Sequence, residues 1–344
     1  MILRRALPVV ALGAASVLVL AGCAGAAGAA GGGTSDGSAD DRVSVVASTN
    51  VYGQIAQEVG GDLVDVTSIV TSGAQDPHSY EASAQDQLTL SRAALVIENG
   101  GGYDSFVDAL IESSGSSAPV ITAVEHSHSF PGNEDHDDDS AAASTAAPDA
   151  SEAEDGHDHA EDGHAHDHIE GFNEHVWYDP HTVEHVAEAI ADELSAIAPD
   201  HADAFAANAA AFIDGIAGLE TSLGDIAAKD AGAGVFVTEP VPVYLLDAAE
   251  LEDVTPTEFS ESVEEGQDVP PSTLLDSLSL IDDGRVRVLI ANAQTGGAET
   301  TQVIAAAEAN GIPVLEFTET LPEGQTYLQW MQQNIEDLAG ALAE

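Results

Sequence analysis

Short apolar runs alternate with amphipathic stretches along most of the chain after residue 42. Apolar runs of four to eight residues between turn signals are typical of buried strands, and apolar residues that recur every three or four positions are typical of helices. In the first half this pattern predicts four strands separated by helices: Val43–Ser48, Leu63–Val70, Ala94–Gly100 and Pro119–Val124. Such alternation favours βαβ units and a parallel sheet.

The second half repeats this alternation, with strands predicted at Gly234–Pro240, Val286–Asn292 and Ile312–Thr320. Between the halves, apolar residues recur at helical spacing from about Asp200 to Lys229. At about 1.5 Å per residue this helix is roughly 45 Å long, enough to cross from one domain to another. The predicted fold is therefore α/β, with two lobes that each contain a parallel sheet flanked by helices, joined by one long rigid helix.

The predicted domain bounds follow from these elements. We place an N-terminal α/β lobe at 42–198, the linking helix at 199–230 and a C-terminal α/β lobe at 231–344. Within the first lobe, residues 125–170 are rich in Asp, Glu, His, Ala and Ser and contain almost no large apolar residue. A segment with so few large apolar residues cannot form a core, so it is predicted to be a disordered insert.

Closely spaced histidines distinguish this insert. Imidazole is a common ligand of zinc and related metals, but an ordered site needs ligands that rigid elements hold in place. We therefore expect the insert to gather metal ions loosely, in many arrangements. A merely solvated acidic linker is the alternative interpretation. The histidines assigned to this accessory role are His157, His159, His164, His166 and His168.

The N-terminus has the pattern of an export signal, with a basic start, "MILRR", and an apolar run that ends in small residues. The chain's only cysteine, Cys23, follows in "LVLAGC", which resembles a bacterial lipobox. This predicts a lipoprotein signal peptide at 1–22 and a lipidated flexible tether at 23–41. The protein would then be exported and anchored by lipid to the extracytoplasmic face of the cell membrane. An ordinary secretory signal with an incidental cysteine is the alternative.

The charge balance excludes some ligands. The chain has 7 Lys+Arg against 61 Asp+Glu. Such a surface repels nucleic acid and anionic membranes and attracts cations weakly everywhere. Salt adaptation or a biased composition would explain the same balance, so acidity alone identifies no function.

Candidate metal ligands lie next to predicted strand ends, where α/β sheets bind ligands. His78 in "DPHSYE" follows a strand of the first half, and His175 in "NEHVWYDP" lies between the insert and a helix. Glu239 in "FVTEP" and Glu319 in "FTETLPEG" follow strands of the second half. No histidine occurs after His201, so the second lobe can offer a shared metal only carboxylates or backbone groups.

The lipobox, "DPHSYE", the histidine-rich insert, "NEHVWYDP", the long helix and "FTET" occur in one order. That order resembles the zinc/manganese substrate-binding lipoproteins of ABC transporters, over nearly the whole chain from Cys23 on. The resemblance implies two lobes with one divalent ion in the cleft, two ligands from each lobe, and an ABC-type metal permease as partner. The positions that match the ligands are His78, His175, Glu239 and Glu319.

The identity of the metal depends on opposing features. Zinc members of the family usually have a third histidine where this chain has Glu239, and oxygen ligands suit manganese better than imidazoles do. The histidine-rich insert instead resembles that of the zinc group, and intrinsic affinity rises from manganese to zinc. We expect a monomeric extracytoplasmic receptor that captures zinc and delivers it to an ABC importer, with manganese (or iron) as the alternative cargo.

Other classes are less well supported. A metallohydrolase would also hold zinc with His and Glu, but the chain has no H-E-x-x-H motif, so we expect no enzyme activity. A surface adhesin with a structural metal is a further alternative interpretation. A receptor for an organic anion would need basic side chains, and the second lobe's only arginines, Arg285 and Arg287, lie at one strand start.

Overall fold

Two four-stranded parallel sheets form the framework of the protein. The computed structural model describes residues 42–133, 169 and 171–343. Within these residues the strands are β1 (Val43–Thr49), β2 (Val64–Val70), β3 (Leu95–Glu98), β4 (Val120–Thr122), β5 (Gly234–Val237), β6 (Glu252–Asp253), β7 (Val288–Asn292) and β8 (Val314–Phe317). The strand orders are β2-β1-β3-β4 in the first sheet and β6-β5-β7-β8 in the second. All neighbouring strands are parallel.

Helices cover the sheets. They are α1 (Asn50–Gly60), α2 (Ala84–Leu90), α3 (Phe106–Ser114), α4 (Pro180–Ile197), α5 (Ala202–Asp230), α6 (Val243–Ala248), α7 (Thr257–Glu264), α8 (Pro271–Asp282), α9 (Ala298–Ala309) and α10 (Tyr327–Leu342). Short 3-10 turns occur at Gly61–Leu63, Ala123–His126, Val176–Tyr178 and Pro199–His201. Within the described ranges, no helix combines the length and apolar character that spanning a membrane requires.

The strand sequences explain why both sheets are parallel and covered by helices on both faces. The central strands β1 and β7 read VSVVAST and VLIAN, and nearly all of their residues are buried. Such continuous apolar runs, rich in β-branched residues, are typical of strands that helices cover on both faces. In each sheet the second strand in sequence pairs with one side of the first strand, and the third strand pairs with its other side. This reversal of direction opens a crevice at the carboxyl ends of the strands. The predicted fold class is confirmed.

The long predicted helix is α5, and it connects two lobes that share a core. Its buried side chains form one apolar stripe along 29 residues. One continuous cluster of buried residues includes Val45 of β1, Phe205 of α5, Val235 of β5 and Trp330 of α10. Because apolar packing continues from one lobe to the other, wide separation of the lobes would expose core residues to water.

Hydrogen bonds also join the lobes at the site end of the molecule. The hydroxyl of Tyr178 donates to Thr318 O at 2.7 Å, and that of Tyr327 donates to Trp177 O at 2.7 Å. Asn50 Nδ2 donates to Leu321 O at 2.8 Å. These bonds fix the loops of one lobe against those of the other.

The first nine residues of the range predicted as a disordered insert, 125–133, are ordered. Residues 125–133 fold against the first lobe, where Ser127 is fully buried and Asn133 Nδ2 donates to Ser127 O at 3.0 Å. Phe130 packs edge-on against Phe172, with ring centroids 5.5 Å apart, and this aromatic contact anchors a segment whose composition had predicted disorder. The start at Glu125 is therefore wrong. The accessory histidines from His157 to His168, and the signal, Cys23 and tether, lie outside the described residues.

Candidate metal centre

His78 lies in the loop that follows β2. Asp76 organises this loop, because its Oδ1 accepts a hydrogen bond from His78 N at 3.0 Å and its Oδ2 accepts one from the Ser79 hydroxyl at 2.7 Å. Pro77 is buried and restricts the backbone just before the histidine. The loop therefore presents the half-buried His78 imidazole at the carboxyl end of the first sheet.

His175 immediately precedes the 3-10 turn Val176–Tyr178 and is 0% exposed. Its Nδ1 lies 2.7 Å from Asn173 Oδ1. The Nδ2 of Asn173 donates to Pro240 O at 2.9 Å, which identifies Oδ1 as the amide atom that faces the imidazole. Nδ1 of His175 therefore carries the proton, and Nε2 carries the lone pair that a metal ion needs.

Aromatic rings surround the two imidazoles. The Tyr103 ring lies edge-on to His78 at 4.8 Å between centroids and 4.5 Å from the Trp177 ring, which in turn lies 5.1 Å from His175. The His78 and His175 ring centroids are 6.2 Å apart. These rings lower the local dielectric and restrict the motion of both histidines, so the imidazoles are pre-oriented towards a common point.

The second lobe contributes carboxylates from loops that follow β5 and β8. Asn292, the last residue of β7, donates through Nδ2 to Glu239 Oε2 and to Glu319 Oε1, both at 2.7 Å. The Thr295 hydroxyl donates to the other oxygen of Glu239. From the first lobe, the Tyr103 hydroxyl donates to Glu319 Oε2 at 3.2 Å. One amide thus holds both predicted carboxylates side by side.

Three of the four predicted ligands come together directly. One ligand atom from each of His78, His175 and Glu319 lies within 4.8 Å of the others. Among the described residues, Glu239 is in no such group of three, and it reaches this centre through the Asn292 amide that it shares with Glu319. A second group with the same spacing consists of His78, Glu174 and Glu264.

Glu174 and Glu264 were not predicted as site residues. Glu174 adjoins His175 in sequence and is 3% exposed, so the motif "NEHVWYDP" already contained it. Glu264 is the last residue of α7, and its Oε1 lies 3.7 Å from His175 Nε2. No sequence signal identified Glu264, because α7 is a short helix rich in charged residues and lies far from the other site residues in sequence.

Burial raises the pKa of three carboxyl groups that the second lobe brings to this centre. Burial is the largest cause for each, raising the pKa of Glu319 to about 7, of Glu239 to about 8 and of Glu264 to about 9. Repulsion from neighbouring carboxylates adds to the effect, while hydrogen bonds from Asn292 lower the pKa of Glu239 and Glu319. No lysine or arginine is among the groups that shift these pKa values, so a cation would be strongly favoured here.

The arrangement fits a divalent ion of the zinc or manganese class. Two imidazoles and clustered carboxylates provide nitrogen and oxygen ligands together, and tetrahedral zinc is bound by such ligands at about 2.0–2.2 Å. The ligand atoms come from both lobes, so an ion bound here would contact each of them. The hydrogen bond that His175 Nδ1 donates to Asn173, and those that Asn292 donates to Glu239 and Glu319, orient these candidate ligands, as outer partners do in metal sites.

A family model described as "Zinc-uptake complex component A periplasmic" matches residues 45–341. Among curated proteins, the zinc-binding lipoprotein AdcA of Streptococcus pneumoniae is 26% identical over 183 residues, which cover 53% of this chain and 32% of AdcA. The manganese-binding lipoprotein MntA of Halalkalibacterium halodurans is 24% identical over 210 residues, or 60% of this chain and 55% of MntA. The matched region thus spans about a third and about half of these relatives.

The fold also resembles solved structures. A crystal structure of ZnuA superposes with a TM-score of 0.63 at 18% identity, covering 88% of this chain and 100% of that chain. At this identity the likeness concerns the fold. It agrees with the two lobes described above.

Proposed function

The chain belongs to the family of the periplasmic zinc-uptake complex component A, and from that premise we propose that it is an extracytoplasmic receptor that captures zinc and delivers it to an ABC importer. The family resemblance of its motifs is thereby confirmed. The observation that carries the proposal is the convergence of half-buried His78 with buried His175 and Glu319, with ligand atoms within 4.8 Å of one another. The proposal includes a monomer, anchored by lipid at Cys23, that docks on a membrane permease.

We assign His78, His175, Glu239 and Glu319 as the ligands of the captured ion. His175 would bind through Nε2, because its Nδ1 is engaged by Asn173. Glu239 would complete the set by a small rotation, since Asn292 already holds its Oε2 beside Glu319. Ionised Glu239 and Glu319 supply two negative charges, which leave a divalent ion in a nearly neutral site.

Capture depends on the electrostatics of the whole chain. A formal net charge of −54 creates a field that draws divalent cations towards the surface. At the centre, the ion replaces protons on carboxyl groups whose pKa burial has raised. The ion exchanges its water ligands for protein ligands in a site lined by Tyr103 and the neighbouring aromatic rings. The shared core and the hydrogen bonds between lobes favour small motions during capture and release.

Zinc is the proposed cargo because two imidazoles take part and because affinity at such sites rises from manganese to zinc. Manganese is the second candidate, and a specific observation favours it. Four carboxyl groups, those of Glu174, Glu239, Glu264 and Glu319, lie in or beside the centre, and manganese prefers oxygen ligands. The relatives include both a zinc-binding and a manganese-binding lipoprotein.

Competition calorimetry tests the proposal. Zinc and manganese are titrated separately into the chain that begins at Ala24 and lacks residues 135–168, with and without Glu239→Ala. One tight zinc site that manganese cannot fill, weakened by the substitution, is the expected result. Comparable manganese binding would favour the second candidate, and the absence of a tight site for either ion would refute the ligand assignment. A growth defect of the deletion strain that added zinc relieves would support the delivery step.

A further inference from the structure

A separate group of metal-ligating side chains lies on the surface of α4 and α5. One ligand atom from each of His181, Glu184 and Glu220 lies within 4.8 Å of the others. This group shares no residue with the centre between the lobes. His181 and Glu220 are exposed, and Glu184 is half-buried.

Helix geometry accounts for the grouping. His181 and Glu184 are three residues apart in the first turns of α4, and residues at this spacing share one face of a helix. Glu220 lies on α5, which packs against α4. The α4–α5 packing therefore brings the Glu220 carboxylate to a helix face that already contains an imidazole and a carboxylate.

Further imidazoles adjoin the group. The His181 and His185 rings are 4.7 Å apart between centroids, and the His128 and His181 rings are 6.3 Å apart. His185 Nδ1 lies 3.1 Å from Glu188 Oε2, and His128 Nδ1 lies 3.7 Å from Asp179 Oδ2. His128 and His185 thus each have a carboxylate of their own, which leaves His181 as the imidazole placed with Glu184 and Glu220.

We propose that His181, Glu184 and Glu220 form a second, surface site for a borderline divalent transition-metal ion of the zinc class. One imidazole and two carboxylates are a ligand set that zinc accepts, with water in the remaining position. Bond lengths of about 2.0–2.1 Å place tetrahedral ligand atoms about 3.4 Å apart, so exposed side chains need only a small rotation to close on the ion. Because His181 and Glu220 are exposed and Glu184 is only half-buried, the site is weaker than the centre between the lobes and exchanges its ion readily.

Histidine-specific labelling of the whole chain tests this proposal residue by residue. Diethyl pyrocarbonate reacts with the free lone pair of an imidazole, and peptide mapping by mass spectrometry reports each histidine separately. Added zinc is expected to reduce labelling of His181 by about fivefold or more, because coordination occupies the lone pair. The double variant Glu184→Gln/Glu220→Gln should lose that protection. His201 is the matched control, since it is also exposed and lies in the 3-10 turn between α4 and α5.

The outcomes separate this site from the buried one. Equal labelling of His181 with and without zinc would overturn the proposal, and so would protection that persists in the double variant. Parallel protection of His201 would show indiscriminate surface binding and would also overturn it. The labelling of His78 in the same samples reports on the centre between the lobes, so failure of either site is recognised independently.

Discussion

The imidazole Nδ1 of His175 lies 2.7 Å from Asn173 Oδ1, and the amide nitrogen of the same asparagine donates to Pro240 O at 2.9 Å. This pair fixes the tautomer of a proposed ligand in one lobe and binds the residue that follows Glu239 in the other. The Tyr244 hydroxyl donates to Asn173 O at 2.7 Å and holds the asparagine from the second lobe. The orientation of His175 thus depends on contact between the lobes.

Replacing Asn173 should weaken metal binding without removing a ligand. In Asn173→Ala the imidazole loses the acceptor that orients it, and we expect zinc affinity to fall by about 10–100-fold, as is typical for outer partners of metal ligands. Asn173→Asp keeps an acceptor for Nδ1 and should retain more of the affinity. Chelator competition measures both variants. Wild-type affinity in Asn173→Ala would show that the hydrogen bond does not position the ligand.

The pH dependence of the protein's stability should show the ionisation of the buried Glu264 carboxyl group. Burial raises its pKa to about 9. The protonated group therefore makes its full contribution to the stability of the metal-free protein below about pH 4.5, and this contribution is lost as the pH rises through about 9. In the metal-free state, Glu264→Gln should match the wild type near pH 4. Near pH 9 it should be more stable by at least about 1 kcal/mol, or on the order of 2–4 °C in Tm.

Glu261→Gln is the matched control for that experiment, because Glu261 lies on the same helix and is exposed. Thermal unfolding of the metal-free proteins across the pH range gives the comparison. If the two variants behaved alike at every pH, ionisation of Glu264 would not be the cause.

Zinc binding should release protons near neutral pH. With pKa values of about 8 for Glu239 and about 7 for Glu319, both raised mainly by burial, the metal-free carboxyl groups are partly or mainly protonated at pH 7. Binding of a divalent ion to both should release roughly 1–1.5 protons per zinc at pH 7, and fewer at pH 8.5. Calorimetry in buffers of different ionisation enthalpy measures this number. Release that does not change with pH would exclude these carboxylates as the titrating ligands.

Much of the fold follows from hydrophobic patterning, and the elements that the pattern does not predict have physical reasons for their absence from it. The buried runs predict β1 and β7 to within about two residues, because strands covered on both faces must be apolar throughout. β6 was missed, since its two residues, Glu252 and Asp253, are exposed and carry no apolar signal. It pairs with β5 through backbone hydrogen bonds, which side-chain patterns do not reveal.

The strand ends in the sequence indicate where the candidate site lies, but they do not identify all of its residues. Strand-end position alone brings His78 and Glu319 to one place, because both sheets direct their carboxyl ends to the crevice. The sequence does not indicate Glu264, because its approach to His175 depends on how α7 packs. The Asn292 amide between Glu239 and Glu319 likewise depends on the register of β5, β7 and β8. Long-range relationships of this kind have no local signature.

The shared core predicts small motion on metal binding. In the chain from Ala24 onward, which lacks Cys23, spin labels at Ser113→Cys and Ser279→Cys would mark exposed positions in the first and second lobes. Zinc should shift the distance between the labels by less than about 2 Å, the range of preorganised binding. Pulsed electron paramagnetic resonance measures the shift. A larger change would favour hinge closure despite the hydrogen bond from Tyr178 to Thr318 O.

The central claim is a buried zinc site built from both lobes, and anomalous diffraction tests it most directly. Crystals of the protein grown with equal zinc and manganese would be measured above and below the zinc absorption edge. We predict one strong buried zinc peak bonded to His78, His175 Nε2 and Glu319, with Glu239 completing the coordination. A manganese peak at that position, or no buried peak bonded to these residues, would contradict the account.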